Sequence, residues 1–393
     1  MFYRKEDLLF RSYFLVVQMQ SFKKNPNVSA PNLEQEALQI FRDRIDKVDE
    51  QLVRLFDERA KLVHDVGEWK AKHNREIYDV KREQQVLEKC IKTKRSNLRD
   101  AEVQTLFSTI IENFRNIERA RNLISVAKKT EKIPQTGIFA FFGFGLMSAS
   151  VALALLEECP HWVFLIYDPY LSVDDFQLWN EAKAKSSFRM INSSQLQEAD
   201  FLFLGAPIDV NREFARHLTY NSTKNHASNS AKKNKVILNL GSFQDELDGV
   251  FGFHPLAGKE VSGYQSAQAD LFYGKTICIT HSGERSPTTL KSIEALANLL
   301  GAECCVTSHK NHNGSLAYSS HLIQILSMAF GMILGKVGSQ SIGKLIPRTA
   351  QEFLRLNGSS QKMWQPIFKG NKKLIIKTIE EFEKALQKIK FII

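Results

Sequence analysis

Apolar residues recur at alternating steps of four and three through Phe41, Ile45, Val48, Leu52 and Leu55, and resume at Leu62 and Val66. That spacing predicts a helix over about 36–72 whose apolar face meets a core. One position breaks the rhythm. Between Leu55 and Leu62 the stripe calls for an apolar side chain, and Arg59 stands there. Lys70 follows one turn beyond Val66 on about the same side. A second helix starts near Asp79 and runs through VKREQQVLEKCIKTK. A third, about 101–126, carries Val103, Phe107, Ile110, Phe114, Ile117 and Ile124 at helical spacing. KKTEKIPQT, residues 128–136, is charged and proline-containing and reads as a linker.

From Ile138 the period changes. IFAFFGF, WVFLIYD, ADFLFLGAP and KVILNLGS alternate with helix-compatible segments, which predicts a parallel α/β sheet. The polar tract YNSTKNHASNSAKKNK (220–235) reads as a surface loop, and from about 284 the pattern is helical to the C-terminus. The expected organisation is multidomain: an extension over 1–35, an all-α domain over 36–127, the linker, an α/β Rossmann-like domain over 137–283, and an all-α domain over 284–393.

Composition narrows the classes. With 393 residues, 43% of them hydrophobic, the chain can bury cores for two or three domains. Its five cysteines show no CxxC spacing, which disfavours a zinc ribbon or disulfide scaffold and suits a reducing cytosol. The net charge of +10 is spread over short clusters without an aromatic-basic platform, so solvated faces are expected rather than a nucleic-acid surface. GIFAFFGFGLMSASVALALL, residues 137–156, has no charge over its whole length. It divides at Gly143 and Gly145 into a β-rich and a helix-favouring half, so a buried strand-turn-helix is expected and no membrane span.

The helical region has several charges out of place. Arg59 and Lys70 lie along the apolar stripe, Asp79, Arg82 and Glu83 share a helix face, and Glu118 follows Phe107, Ile111 and Phe114. Together they describe a bundle interior lined by cations and a few carboxyls. Buried cations with too few carboxylate partners cost several kcal/mol each, roughly, so an anion is the natural missing partner. In GFGLMS, Gly143 and Gly145 follow a strand and open a helix, and Asp168 ends the next strand. That arrangement fits a dinucleotide: a tight turn, close approach of the pyrophosphate, and an acid for the ribose hydroxyls, with Ser148 at the third small position.

These residues carry a specific resemblance. FRDRIDKVDEQLVRLFDERAKLVHDVGEWKAK and YDVKREQQVLEK resemble the all-helical chorismate mutase family, with Arg42, Arg59, Lys70, Asp79, Arg82 and Glu83 on its motif positions and Glu118 where it carries Gln or Glu. FGFHPLAGKEVSGYQSAQADLFYGKTICIT (251–280) resembles the prephenate/arogenate dehydrogenase family over about 137–370. The first resemblance implies that Arg59 points inward because the core holds chorismate, and that two chains share an intertwined dimer in which Arg42 reaches the neighbouring site. The second implies NAD as cofactor, with Pro207 joining Gly143, Gly145, Ser148 and Asp168 in holding it, and a C-terminal helical dimerisation domain. It makes His254 the catalytic histidine on the ring hydroxyl and Ser242 its polar companion. His321 lines the pocket, Arg355 binds a substrate carboxylate, and Glu260 and Trp364 frame the entrance.

Departures stand beside the match. Asn239 and Gln244 replace the charged ends of a common D-x-x-S-x-K, Lys259 replaces a frequent threonine, and Gln324 stands where many relatives have a second histidine. HKNH (His309, His312) lacks a third nearby ligand for a metal, and His312 falls on a family position of structural role. The implied activity is a cytoplasmic, bifunctional enzyme of tyrosine synthesis. It rearranges chorismate to prephenate and then oxidatively decarboxylates prephenate to 4-hydroxyphenylpyruvate, as a homodimer, with tyrosine as candidate feedback inhibitor. Two alternatives stay open: the same fold acting on arogenate, and a regulatory NAD-binding protein with an inactive mutase domain.

Overall fold

Helix α1 runs from Pro31 to Lys72 in the computed structural model. The structure describes residues 31–73, 75–94, 98–130, 133–224, 235–259, 261–281, 286–337, 346–359 and 361–392. They form two units that divide between Asp79 and Val80. In the first, the stripe is helical as the spacing predicts, but its side chains are not buried among the described residues. Phe41, Ile45, Val48, Leu52, Leu55, Leu62 and Val66 are between 43% and 58% exposed. Leaving seven such side chains open forgoes burial worth on the order of 10 kcal/mol.

The second unit opens with α2 (Val80–Thr93) and α3 (Asp100–Lys128), which pack on each other. The start of α3 is fixed by Glu102, whose carboxylate accepts from the Arg99 backbone N–H at 2.9 Å. Its buried side is Val103, Ile111, Phe114, Glu118, Ala120, Ile124 and Ala127.

The sheet follows. Strand β1 (Ile138–Phe142) leads through the glycine turn into α4 (Leu146–Glu158), then β2 (Val163–Tyr167), α5 (Val173–Ala184), β3 (Phe188–Met190), β4 (Phe201–Leu204), α6 (Ile208–Lys224), β5 (Val236–Asn239) and β6 (Val250–Pro255). Strand β7 (Thr276–His281), α7 (Pro287–Leu299) and β8 (Glu303–Ser308) complete it. The order is β3-β2-β1-β4-β5-β6-β7-β8, with every pairing parallel except β6 with β7. Both faces of the central strands are covered, as uninterrupted apolar runs require. Phe139, Phe141, Phe203 and Phe253 pack into one core cluster with residues of α4 and α7. Ala140, Phe142, Leu202 and Leu204 pack into a second cluster that includes Ala215 of α6.

The charge-free segment 137–156 is thus a strand and a helix, with residues 148–155 buried. Two expectations fail. ECCVTS, inside the stretch read as helical, is the edge strand β8, because alternate residues face opposite sides: Cys304 packs on the core and Cys305 is exposed. The tract read as a loop from 220 is still helix to Lys224, and residues 225–234 lie outside the described ones.

The C-terminal region is a helical run of α8 (His309–Leu316), one π turn (Ala317–His321) and α9 (Leu322–Val337), followed by α10 (Arg348–Arg355), α11 (Gln361–Gly370) and α12 (Lys372–Ile392). The stretch His309–Gly335 is long and apolar enough by composition to cross a bilayer, and here it packs against α10 and α12. Met332, Ile333, Leu386, Ile389 and Phe391 on these helices are exposed.

Candidate active sites

The glycine turn is shaped by two demands. Gly143 has φ +83°, and a Cβ there would come within 2.5 Å of the Ala206 backbone nitrogen, so only glycine fits. At Gly145, the N-cap of α4, a Cβ would meet nothing within 4 Å, which leaves open space before the helix N-terminus. Unsatisfied N–H groups of a first helical turn favour an anion there. The Asp168 carboxylate closes this mouth by accepting from the Phe144 N–H at 2.9 Å and the Tyr170 N–H at 2.9 Å. These groups fit a dinucleotide. Ser148 does not face that space: its buried hydroxyl lies where a Cβ on Gly205 would run into it, so its smallness serves helix–strand packing. Pro207 is exposed at the start of α6.

The second cluster gathers at the end of β6. His254 is part-exposed there, with its Nδ1 3.0 Å from His312 Nε2 on α8. Burial is the main force on the ring, and His312 and His321 add to it, pulling the pKa from the ordinary 6.5 to about 3. His321, 1% exposed in the π turn, is likewise pulled to about 4, by burial first and then His312. Its ring stands edge-on to Trp364 of α11, with centroids 6.1 Å apart. Neither His321 Nε2 nor Trp364 Nε1 has a hydrogen-bond partner among the described residues. Ser242 is half-buried just after β5, and Arg355 is exposed at the end of α10. Gln324 donates to the Leu356 carbonyl at 3.0 Å and Ser327 to the Phe353 carbonyl at 2.7 Å, so α9 holds the helix end that carries Arg355. Glu260 lies outside the described residues.

His312, expected from its family position to be structural, is the hydrogen-bond partner of His254. Asn313 and Asn371, also buried in this network, escaped notice because a lone amide has no spacing signature. Among the described residues no group of three or more His, Cys, Asp or Glu is placed to hold a metal ion.

The charged positions of the helical region are divided between the two units. On the first, Arg42 and Asp79 are exposed, Arg59 is half-buried, and half-buried Lys70 donates to the Ile77 carbonyl at 2.8 Å. On the second, Arg82 is exposed, Glu83 is bonded to Arg115 at 2.7 Å, and Glu118 is 8% exposed on α3.

Comparison with known proteins agrees with this layout. Residues 41–119 match the family described as chorismate mutase type II. Residues 151–306 match the prephenate dehydrogenase nucleotide-binding domain, and 308–393 its dimerization domain. A cyclohexadienyl dehydrogenase of Zymomonas mobilis is 24% identical over 267 residues, 64% of this chain and 86% of the relative. The T-protein of Haemophilus influenzae is 22% identical over 305 residues, 77% of this chain and 71% of the relative. Among solved structures, the prephenate dehydrogenase of Aquifex aeolicus, crystallised with hydroxyphenyl propionate and NAD+, superposes with TM-score 0.56 at 22% identity. It covers 65% of this chain and 89% of that one. The fold and the glycine turn define a nucleotide-binding oxidoreductase with a helical domain ahead of it. The chain belongs to the prephenate dehydrogenase family and carries a type II chorismate mutase domain, an isomerase and an oxidoreductase in one polypeptide.

Proposed function

We propose that the protein converts chorismate to prephenate at one site and prephenate to 4-hydroxyphenylpyruvate at another, in the cytoplasm, for tyrosine synthesis. The observation that carries the second step is His254, placed at the end of β6 in a nucleotide-binding sheet with its Nδ1 3.0 Å from His312 Nε2, where burial favours the neutral ring. Its role is to take the proton of the 4-hydroxyl. NAD, when bound, supplies the hydride acceptor for that carbon. Gly143, Gly145 and the start of α4 would face the pyrophosphate, Asp168 the ribose, and Pro207 the adjoining edge, with Ser148 supporting the turn from behind. The ketone formed is vinylogous to the ring carboxylate, so CO2 leaves and the ring becomes aromatic without further catalysis. Arg355 would hold a substrate carboxylate. His321 and Trp364 would bring N–H donors to the pocket, Ser242 would assist His254, and Glu260 falls on the family position expected at the entrance.

For the first step, Arg42, Arg59 and Arg82 would hold the two carboxylates of chorismate in the reactive diaxial conformer, with Asp79 and Glu83 ordering the cations and the substrate hydroxyl. Lys70 and Glu118 would serve the breaking ether oxygen, where negative charge develops. No nucleophile is required, since the rearrangement is unimolecular.

The mutase product favours prephenate over arogenate as the dehydrogenase substrate. Comparing kcat/KM for the two tests this, and a preference for arogenate would move the second step to the transaminated compound. Asp168 favours NAD, because a 2′-phosphate would meet its carboxylate. The expected preference over NADP is about 10²-fold in kcat/KM, since juxtaposed like charges cost several kcal/mol. Equal values for the two cofactors would remove Asp168 from the ribose. Tyrosine is the expected feedback inhibitor.

The exposed stripe of α1 and the exposed apolar residues of α9 and α12 support a homodimer that buries them, with Arg42 reaching the neighbouring protomer's site. Sedimentation is expected to give twice 44.9 kDa. Leu52→Glu with Leu55→Glu is expected to cost mutase activity at least about tenfold while sparing the dehydrogenase, because each charge disfavours burial by more than about 1.4 kcal/mol. A monomeric wild type would contradict the dimer.

A further inference from the structure

The hydrogen bonds behind His254 end on a group that cannot be read two ways. Asn313 is buried on α8, and the backbone of Gln244 holds its side chain at both ends. The Gln244 N–H donates to Asn313 Oδ1 at 3.0 Å, and Asn313 Nδ2 donates to the Gln244 carbonyl at 2.7 Å. A backbone N–H only donates and a carbonyl only accepts, so the amide's orientation is fixed. Asn313 Oδ1 also lies 3.0 Å from His312 Nδ1, which must therefore carry a proton. In a neutral imidazole the lone pair is then on Nε2. His254 Nδ1 is 3.0 Å from that nitrogen and must donate to it. The lone pair of His254 is left on Nε2, away from His312.

We propose that Asn313 is a positioning residue for the dehydrogenase reaction, fixing the tautomers of His312 and His254 so that His254 presents a proton acceptor at Nε2. The proposal rests on the dehydrogenase reading of the site.

A second branch leaves the same asparagine. Its backbone carbonyl accepts from Asn371 Nδ2 at 2.9 Å, and that amide nitrogen also lies 3.2 Å from His321 Nδ1. His321 Nδ1 is thus an acceptor, and its proton sits on Nε2. The two histidines end with opposite polarity, an acceptor at His254 and a donor at His321.

The network is uncharged along its length. Among the described residues, the titratable groups beside His254 are His312, His321 and, in register across β6 and β7, Cys278, with His309 beside His312; none of these is a carboxylate. Asn239 Nδ2 donates to Gln244 Oε1 at 3.2 Å, a neutral pair at the two positions where D-x-x-S-x-K has charges. The hydrogen-bonded series His254–His312–Asn313 ends on a neutral amide and not on a carboxylate, so it does not draw a proton onto His254, and the lone pair stays available.

The test is ring-nitrogen NMR of the full-length protein labelled with [15N]histidine, at neutral pH and without ligands. The expected protons are on Nδ1 of His254 and His312 and on Nε2 of His321, assigned with single His→Gln variants. In Asn313→Ala the His254 and His312 signals should change tautomer or mix, while His321 stays fixed because its restraint comes through a backbone carbonyl. The same variant is expected to lose dehydrogenase kcat by roughly 10²-fold, with KM for prephenate and mutase activity little changed. Asn313→Asp keeps an acceptor but adds charge, so it should retain kcat at alkaline pH and move the acid limb of the profile to higher pH. A wild-type His254 protonated on Nε2 would overturn the proposal whether or not either variant folds, and so would an unchanged tautomer in Asn313→Ala. The spectra need no substrate. A protein with these tautomers but no dehydrogenase activity would therefore sink the functional reading and leave the tautomer assignment standing.

Discussion

Replacing His254 with asparagine is expected to lower dehydrogenase kcat/KM by about 10²–10⁴-fold, the range a positioned general base contributes. Chorismate consumption should be unchanged. The reason is the division of labour along the chain. His254 ends β6 and bonds to His312 on α8, whereas the proposed mutase residues lie on helices between Arg42 and Glu118. Asparagine keeps a polar group of similar reach, so loss of activity reports the missing base and not a hole. The pH profile supplies an independent check. Burial first, and then His312 and His321, hold the wild-type imidazole below its ordinary value, so the competent neutral form persists as pH falls through 6.5. Activity set by this group should therefore decline only at lower pH. Equal loss of both activities in a folded His254→Asn protein would overturn the two-site account.

The second large effect is expected at Arg59. Changing it to leucine should lower mutase kcat/KM by about 10²-fold or more, because a carboxylate of chorismate would no longer be held in the reactive conformer. Dehydrogenase activity measured with prephenate should survive. Leucine completes the α1 stripe and keeps its helical propensity, so the helix itself is not at risk. Retained mutase activity in this variant would mean that the stripe's interruption has nothing to do with chorismate.

Much of this was legible in the sequence, for identifiable reasons. IFAFFGF, WVFLIYD, ADFLFLGAP and KVILNLGS became β1, β2, β4 and β5 because strands covered on both faces must be apolar throughout. Gly143 was legible because a left-handed turn pressed against Ala206 excludes side chains. Other features were hidden by their physics. ECCVTS has the mixed polarity of an edge strand, which a helical surface shares. The stripe of α1 reads as core-facing, yet its side chains are left exposed among the described residues, and a single sequence does not say what covers them. Asn313 and Asn371 act through one hydrogen bond each at the far end of the histidines, and their meaning depends on backbone groups 69 and 58 positions away. Glycine, proline and histidine announce themselves by type. A buried amide is informative only once its partners are known.

The most direct measurement gives the purified protein chorismate as its sole organic substrate, together with NAD, and follows NADH, 4-hydroxyphenylpyruvate and CO2 together. The account predicts one of each per chorismate consumed, with prephenate appearing and then disappearing between them. Chorismate consumption that stops at prephenate, or NADH formation that requires arogenate instead, would contradict it.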